Sequence, residues 1–168
     1  MKRILFSTAL ILALIITCSG RLNETVEQVE ARYGKPIEPP KTEAGPSAAT
    51  YLYETNGFRI AVRFQDKKSC YESFRKLDPQ NPKRTTDMSA TERETILKAN
   101  AAGFAWSLMV TNVLQNLFVP QEHFERTDNK AKAKYDSQSK ALSIWLADIQ
   151  KVDEQKRAEQ ELQKLKGF

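Results

Sequence analysis

The chain has 168 residues, and 26 lysines and arginines against 21 aspartates and glutamates give it a formal charge of +5. Its two cysteines, Cys18 and Cys70, and single histidine, His123, are too few for a disulfide framework or a typical zinc site. Neither a glycine-rich phosphate-cradling loop nor a glycine-flanked serine elbow occurs, so no cofactor and no metal is expected.

Lys2 and Arg3 precede an uncharged run from Ile4 to Thr17, which ends in Cys18, Ser19 and Gly20. A membrane-spanning helix needs roughly 20 apolar residues, and this run is shorter and contains Ser7 and Thr8. The pattern reads as a signal peptide over residues 1–20. Cleavage after Ser19 or Gly20 is one outcome. Lipidation of Cys18 is the other, because Ile15, Ile16 and Cys18 are similar to a lipoprotein box, and it would tether the domain to a membrane. The expected location is exported, periplasmic or extracellular, with membrane tethering as a lipoprotein through Cys18 as the variant. Without Lys2 and Arg3 the charge is +3. In an exported chain nucleic acid is not an expected partner, whereas anionic lipid or a wall polymer remains one.

From Asn23 to Tyr33, Val26, Val29 and Tyr33 recur at helical spacing, with Asn23 or Thr25 as the cap. Gly34 and Pro36 end that helix. Ile37 to Ser47, rich in proline, reads as a surface loop. Thr50 to Thr55 is strand-like, and Asn56-Gly57 is a strong hairpin turn signal. Phe58, Ile60, Val62 and Phe64 then alternate with Arg59, Ala61, Arg63 and Gln65. Asp66 to Lys68 turns the chain, and Ser69 to Arg75 returns as a third strand through Cys70, Tyr71 and Phe74. Cys70 is expected half-buried and chemically inert.

Leu77 to Asp87 reads as a second connector, followed by a helix that Ser89 and Glu92 start as a capping box. Phe104 to Val119 reads as helical or irregular, with Gly103 interrupting. Beyond Pro120, three strands are expected: Glu122 to Thr127; Ala131, Ala133 and Tyr135 alternating with Lys130, Lys132 and Lys134; then Leu142, Ile144 and Leu146 alternating with Ala141, Ser143 and Trp145. The tail from Asp148 carries a thin apolar stripe among Lys, Glu and Gln.

The expected fold class is α+β. Residues 21–147 form one exported domain of two helix-plus-three-stranded-meander halves, about 23–76 and 88–147, in an antiparallel sheet with helices on one face. A charged C-terminal helix spans 148–168. Pairing the halves gives each marginal unit a shared core.

The helix with Thr25 and Val29, the Tyr33-Gly34-Lys35-Pro36 exit, and the strands Tyr51-Leu52-Tyr53 and Phe58 to Phe64 resemble the SmpA/OmlA (BamE-like) family of bacterial envelope proteins. Its wider superfamily includes the beta-lactamase inhibitor protein. The resemblance covers mainly residues 24–64. It implies an exported, non-enzymatic module that works by contact with lipid or other proteins.

The residues themselves offer no catalytic constellation. His123 is expected to point outward with Glu125. Glu122, Glu125 and Asp128 are plentiful carboxylates, but nothing singles out the facing pair that a glycosidase needs. Lys130, Lys132 and Lys134 share one strand face, and Trp145 is expected on that same exposed face. Arg59 and Arg63 form a second basic face, with Tyr51 or Tyr53 beside it. These six cations and aromatics are the candidate contact surface, for an envelope protein above all; the bland alternative is that the charges guard an edge strand. The expected function is a protein-binding or assembly module, not an enzyme. Inhibition of a secreted enzyme and a small hydrolase are the alternatives.

Overall fold

The computed structural model describes residues 21–42, 48–109 and 121–149. The expected signal peptide, Cys18, and the bulk of the expected C-terminal helix lie outside them.

Eleven elements follow one another: α1 (Val26–Tyr33), β1 (Lys41–Thr42), β2 (Ala48–Thr55), β3 (Phe58–Gln65), β4 (Lys68–Asp78), β5 (Asn81–Thr86), α2 (Ala90–Ala99), β6 (Trp106–Met109), β7 (Gln121–Arg126), β8 (Ala131–Asp136) and β9 (Ala141–Leu146). All nine strands join one antiparallel sheet in the order β1-β2-β3-β4-β9-β8-β7-β6, with β5 added beside the end of β4. The expected α+β class with helix-plus-three-stranded-meander halves is therefore wrong. The chain is mostly antiparallel sheet with only short helices, two of which, α1 and α2, lie wholly among the described residues.

The reason lies in the connectors. After Tyr33, Gly34 takes φ +86° and α1 stops at eight residues. After Ala99, Asn100 closes α2, and Ala102 and Gly103 both adopt positive φ, so the ten-residue helix cannot continue. Trp106 to Met109, expected as helical or irregular, instead alternates as a strand against β7. The expected connector at Leu77 to Asp87 is a hairpin: β4 runs on to Asp78, and Asn81–Thr86 returns as β5 with Pro82 at an edge where no ladder donor is lost. Even the proline-rich stretch contributes a short outer strand, Lys41–Thr42, paired with β2.

Local signals otherwise act as physical chemistry dictates. Thr25 and Gln28 form one capping box, and Ser89 and Glu92 another. Asn56 and Gly57 both sit at positive φ, as a tight two-residue hairpin requires.

One face of the sheet builds the core. Tyr53, Ile60, Val62, Phe64 and Phe74 from one side and Ala131, Ala133, Tyr135, Leu142 and Ile144 from the other belong to a single buried cluster, which Val29 and Tyr33 of α1 and Ile96 and Leu97 of α2 cover. The join is the β4–β9 ladder, from Tyr71↔Trp145 to Arg75↔Ala141. Within it Phe74 lies directly opposite Leu142, both almost wholly buried.

A cavity at that join should be felt on both sides. Leu142→Ala is expected to cost about 2–5 kcal/mol, and to lower amide-exchange protection at Ile60 and Val62 as much as at Ala133. Loss confined to β8 and β9 in a hydrogen-exchange experiment would show that the two sides unfold separately.

Candidate functional site

The sheet face opposite the core, on which neither α1 nor α2 packs, is defined by the same registers that define the core. Tyr51, Val62, Glu72, Ile144, Ala133 and Phe124 run across the covered face as successive Cα partners. One residue along, the partners are Thr50, Arg63, Tyr71, Trp145, Lys132 and Glu125, and these point the other way. A second open row holds Leu52, Ala61, Ser73, Ser143, Lys134 and His123, and a third holds Glu54, Arg59, Arg75, Ala141 and Asp136.

The candidates taken from distant parts of the sequence thus meet. Arg59 and Arg63 on β3, Lys132 and Lys134 on β8 and Trp145 on β9 share one face. Lys130 lies at its margin, in the turn before β8, and is exposed. Lys132 is the direct partner of Trp145. Its ammonium lies 3.9 Å from Glu125, while Arg59 holds Glu54 with two donors at 2.8 and 2.6 Å. Lys134 stands opposite His123, and burial, with that lysine's charge, lowers the pKa of the imidazole. The middle of the face is hydroxylic: Tyr71 and Ser143 hydrogen-bond at 2.9 Å, and Ser143 donates to Ser73 at 3.3 Å.

Two placements differ from expectation. Tyr51 and Tyr53 do not flank the arginines. Tyr53 is wholly buried and Tyr51 packs on the core through the Phe64 ring, at 5.1 Å. The tyrosine beside Arg63 is Tyr71 instead. The third strand's phase explains this: Arg63 pairs with Tyr71 and Phe64 with Ser69, so Cys70 is the extra residue of a bulge. It is buried rather than half-buried, with its thiol against the Arg63 carbonyl at 3.2 Å. Counting back in twos from Phe74 would have sent Glu72 inward and Ser73, Tyr71 and Arg75 outward. That count was the available signal for Arg75, Ser73 and Tyr71.

The carboxylates are dispersed. Glu122, on the covered face, takes two donors from Arg93 at 3.1 and 2.9 Å, and Asp128 takes two from the buried Arg126 at 2.8 and 2.9 Å. Glu125 points to the open face. These three do not converge on a cleft. Among the described residues no cluster of three or more His, Cys, Asp and Glu could hold a metal ion.

The buried carboxyl that composition did not single out is Glu72. It sits in the core face of β4, wholly enclosed, where Tyr33 donates to Oε2 at 3.3 Å and the Arg32 guanidinium lies 3.9 Å from Oε1. Arg21 donates in turn to the Tyr33 hydroxyl at 3.3 Å, and Arg32 also pairs with Glu24. Burial raises the Glu72 pKa to about 7, against the pull of Arg32, Arg21 and the Tyr33 hydrogen bond.

No family model, no curated protein and no solved structure matches this chain. The face must therefore be interpreted from its own chemistry.

The Glu72 carboxyl makes stability depend on pH. With its folded pKa raised above 4.5 to about 7, the folded chain keeps a proton that the unfolded chain has released. Its contribution is full below about pH 4.5 and is lost as pH rises through about 7, a change of about 3 kcal/mol. Glu72→Gln, which keeps the shape without the charge, should flatten that slope in denaturant unfolding followed across this range. An unchanged slope would assign the effect to other groups.

Proposed function

We propose that this chain is an exported, non-enzymatic binding module that presents the open face of its sheet to an acidic protein partner. The observation that carries the reading is convergence. Arg59, Arg63 and Arg75 from one side of the β4–β9 join and Lys132 and Lys134 from the other share the face on which, among the described residues, neither helix packs, around Tyr71 and Trp145.

Their composition favours a protein surface over lipid or a wall polymer. Tyrosine, tryptophan and arginine are the side chains that dominate protein–protein contacts, because they bring large area and planar donors at modest entropic cost. The acids on this face, Glu54, Glu125 and Asp136, are fewer than its cations. The surplus speeds encounter with an acidic surface and disfavours a basic one. An assembly or scaffold role and inhibition of a secreted enzyme are both forms of this reading. Export rests on the pattern of residues 1–20, and the resemblance of residues 24–64 to SmpA/OmlA (BamE-like) proteins supports an envelope setting.

A photo-crosslinking residue in place of Ser143, at the centre of the face, should trap a protein in intact cells, while the same residue in place of Glu94 on α2 should not. Changing Lys130, Lys132 and Lys134 to Gln should weaken that adduct while moving stability by no more than about 0.5 kcal/mol. A sharp fall in melting temperature instead would make the lysines structural. Mass spectrometry of the mature protein checks export: a diacylglyceryl mass on Cys18 supports tethering, and a free N-terminus at Gly20 or Arg21 supports release. An intact Met1 in cells would reject both.

A further inference from the structure

Arg59 and Arg75 are direct cross-strand partners on β3 and β4. Like charges placed opposite one another on a sheet destabilise it. Arg59 is neutralised by its two-donor contact with Glu54, whereas no ion pair engages the exposed Arg75 among the described residues. Both arginines help to line a hollow of about 180 Å³ in the face, together with Leu52, Ala61, Tyr71 and Ser73. At about 30 Å³ for each water, that is room for about six, enough to admit an acidic side chain. The Ser73 oxygen accepts from Ser143 at 3.3 Å, which leaves its own proton free to donate into this space. Leu52 and Ala61 supply an apolar wall for methylene groups.

Resting on the reading of the open face as a docking surface, we propose that this hollow is the anchoring subsite for the partner, and that it receives the carboxylate of a glutamate or aspartate side chain. Arg75 supplies the charge, Ser73 a hydrogen bond, and Tyr71 and Leu52 the walls. With Arg59 already held by Glu54, it is Arg75 whose charge the incoming carboxylate neutralises. Arg75 then has an uncommon signature: removing it harms binding without harming the fold.

The probe is poly-L-glutamate, titrated into the isotope-labelled mature protein while the arginine side-chain N–H and backbone amide resonances are followed. The Arg59 and Arg75 side-chain signals and the Ser73 amide should shift. Arg75→Gln should weaken binding about tenfold, the loss of one charge-assisted hydrogen bond, with a melting temperature equal to or above that of the parent. Ser73→Ala should weaken it less. If Arg75→Gln binds like the parent while Lys132→Gln with Lys134→Gln does not, the hollow is wrong and the docking face stands. If poly-L-glutamate moves no resonance on the open face, the face itself is wrong and the hollow falls with it. Inorganic phosphate is the control arm: shifts at Arg59 and Arg75 with phosphate and none with poly-L-glutamate overturn the carboxylate assignment in favour of a phosphorylated ligand.

Discussion

β4 is the strand on which everything else is registered. One edge pairs with β3 along nearly its whole length. The other is shared by β9 over Tyr71 to Arg75 and by β5 over Lys76 to Asp78. Near its start, the Ser69 backbone exchanges hydrogen bonds with Asn23 and Glu24, and the Ser69 hydroxyl takes another from the Glu24 amide while donating to the Arg21 carbonyl. A buried hydroxyl with both functions satisfied is a strong local lock. It fixes the chain entering α1, so Val29 and Tyr33 meet the sheet where Tyr53 and Phe74 await them. Without β4, the three strands β1–β3 and the four strands β6–β9 would each have an unpaired central edge and half a core, and small sheets of that kind are marginal.

The bulge at Cys70 decides the phase of this strand, and phase decides which side chains reach each face. A one-residue slip exchanges the two faces of a strand. Upstream of the bulge Ser69 faces the core side; downstream Glu72 and Phe74 do, and Tyr71, Ser73 and Arg75 join the open face. One extra residue therefore sends an arginine outward beside Arg59 and a glutamate inward beneath α1. Glu72 endures there because Tyr33, Arg32 and Arg21 surround it, a constellation that makes α1 and the segment before it specific to this site at some cost in stability.

Local chemistry was readable where it is self-contained. The capping residues Thr25 and Ser89, the Asn56-Gly57 turn and the period-two runs of β3, β8 and β9 each involve neighbours within a few residues, and each forms as its residues require. What escaped reading depends on distant partners. Asn81 to Thr86 looks like a turn-forming stretch, yet β4 offers it an edge to pair with, and tertiary pairing overrides propensity. Trp106 to Met109 has too few residues to declare a period, and only β7 makes it a strand. The candidate cations on β3 and β8 look from the sequence like two separate faces, because nothing local to either strand reveals that β4 and β9 lie side by side between them.

The same cations also bear on what can stack against the second face of the sheet. Two sheets stack when their facing side chains interdigitate and exclude water. Here Arg59, Arg63, Arg75, Lys132 and Lys134 would have to be desolvated against an identical set from another copy, and bringing like charges together out of water costs far more than aliphatic packing returns. Face-to-face stacking of two copies is thus opposed. The acidic partner proposed above meets no such obstacle: its carboxylates would replace the water around the arginines, and the aromatic and hydroxyl groups between them would supply apolar contact and hydrogen bonds. The charge that opposes stacking of two copies is for that reason the feature that suits this face to the proposed partner.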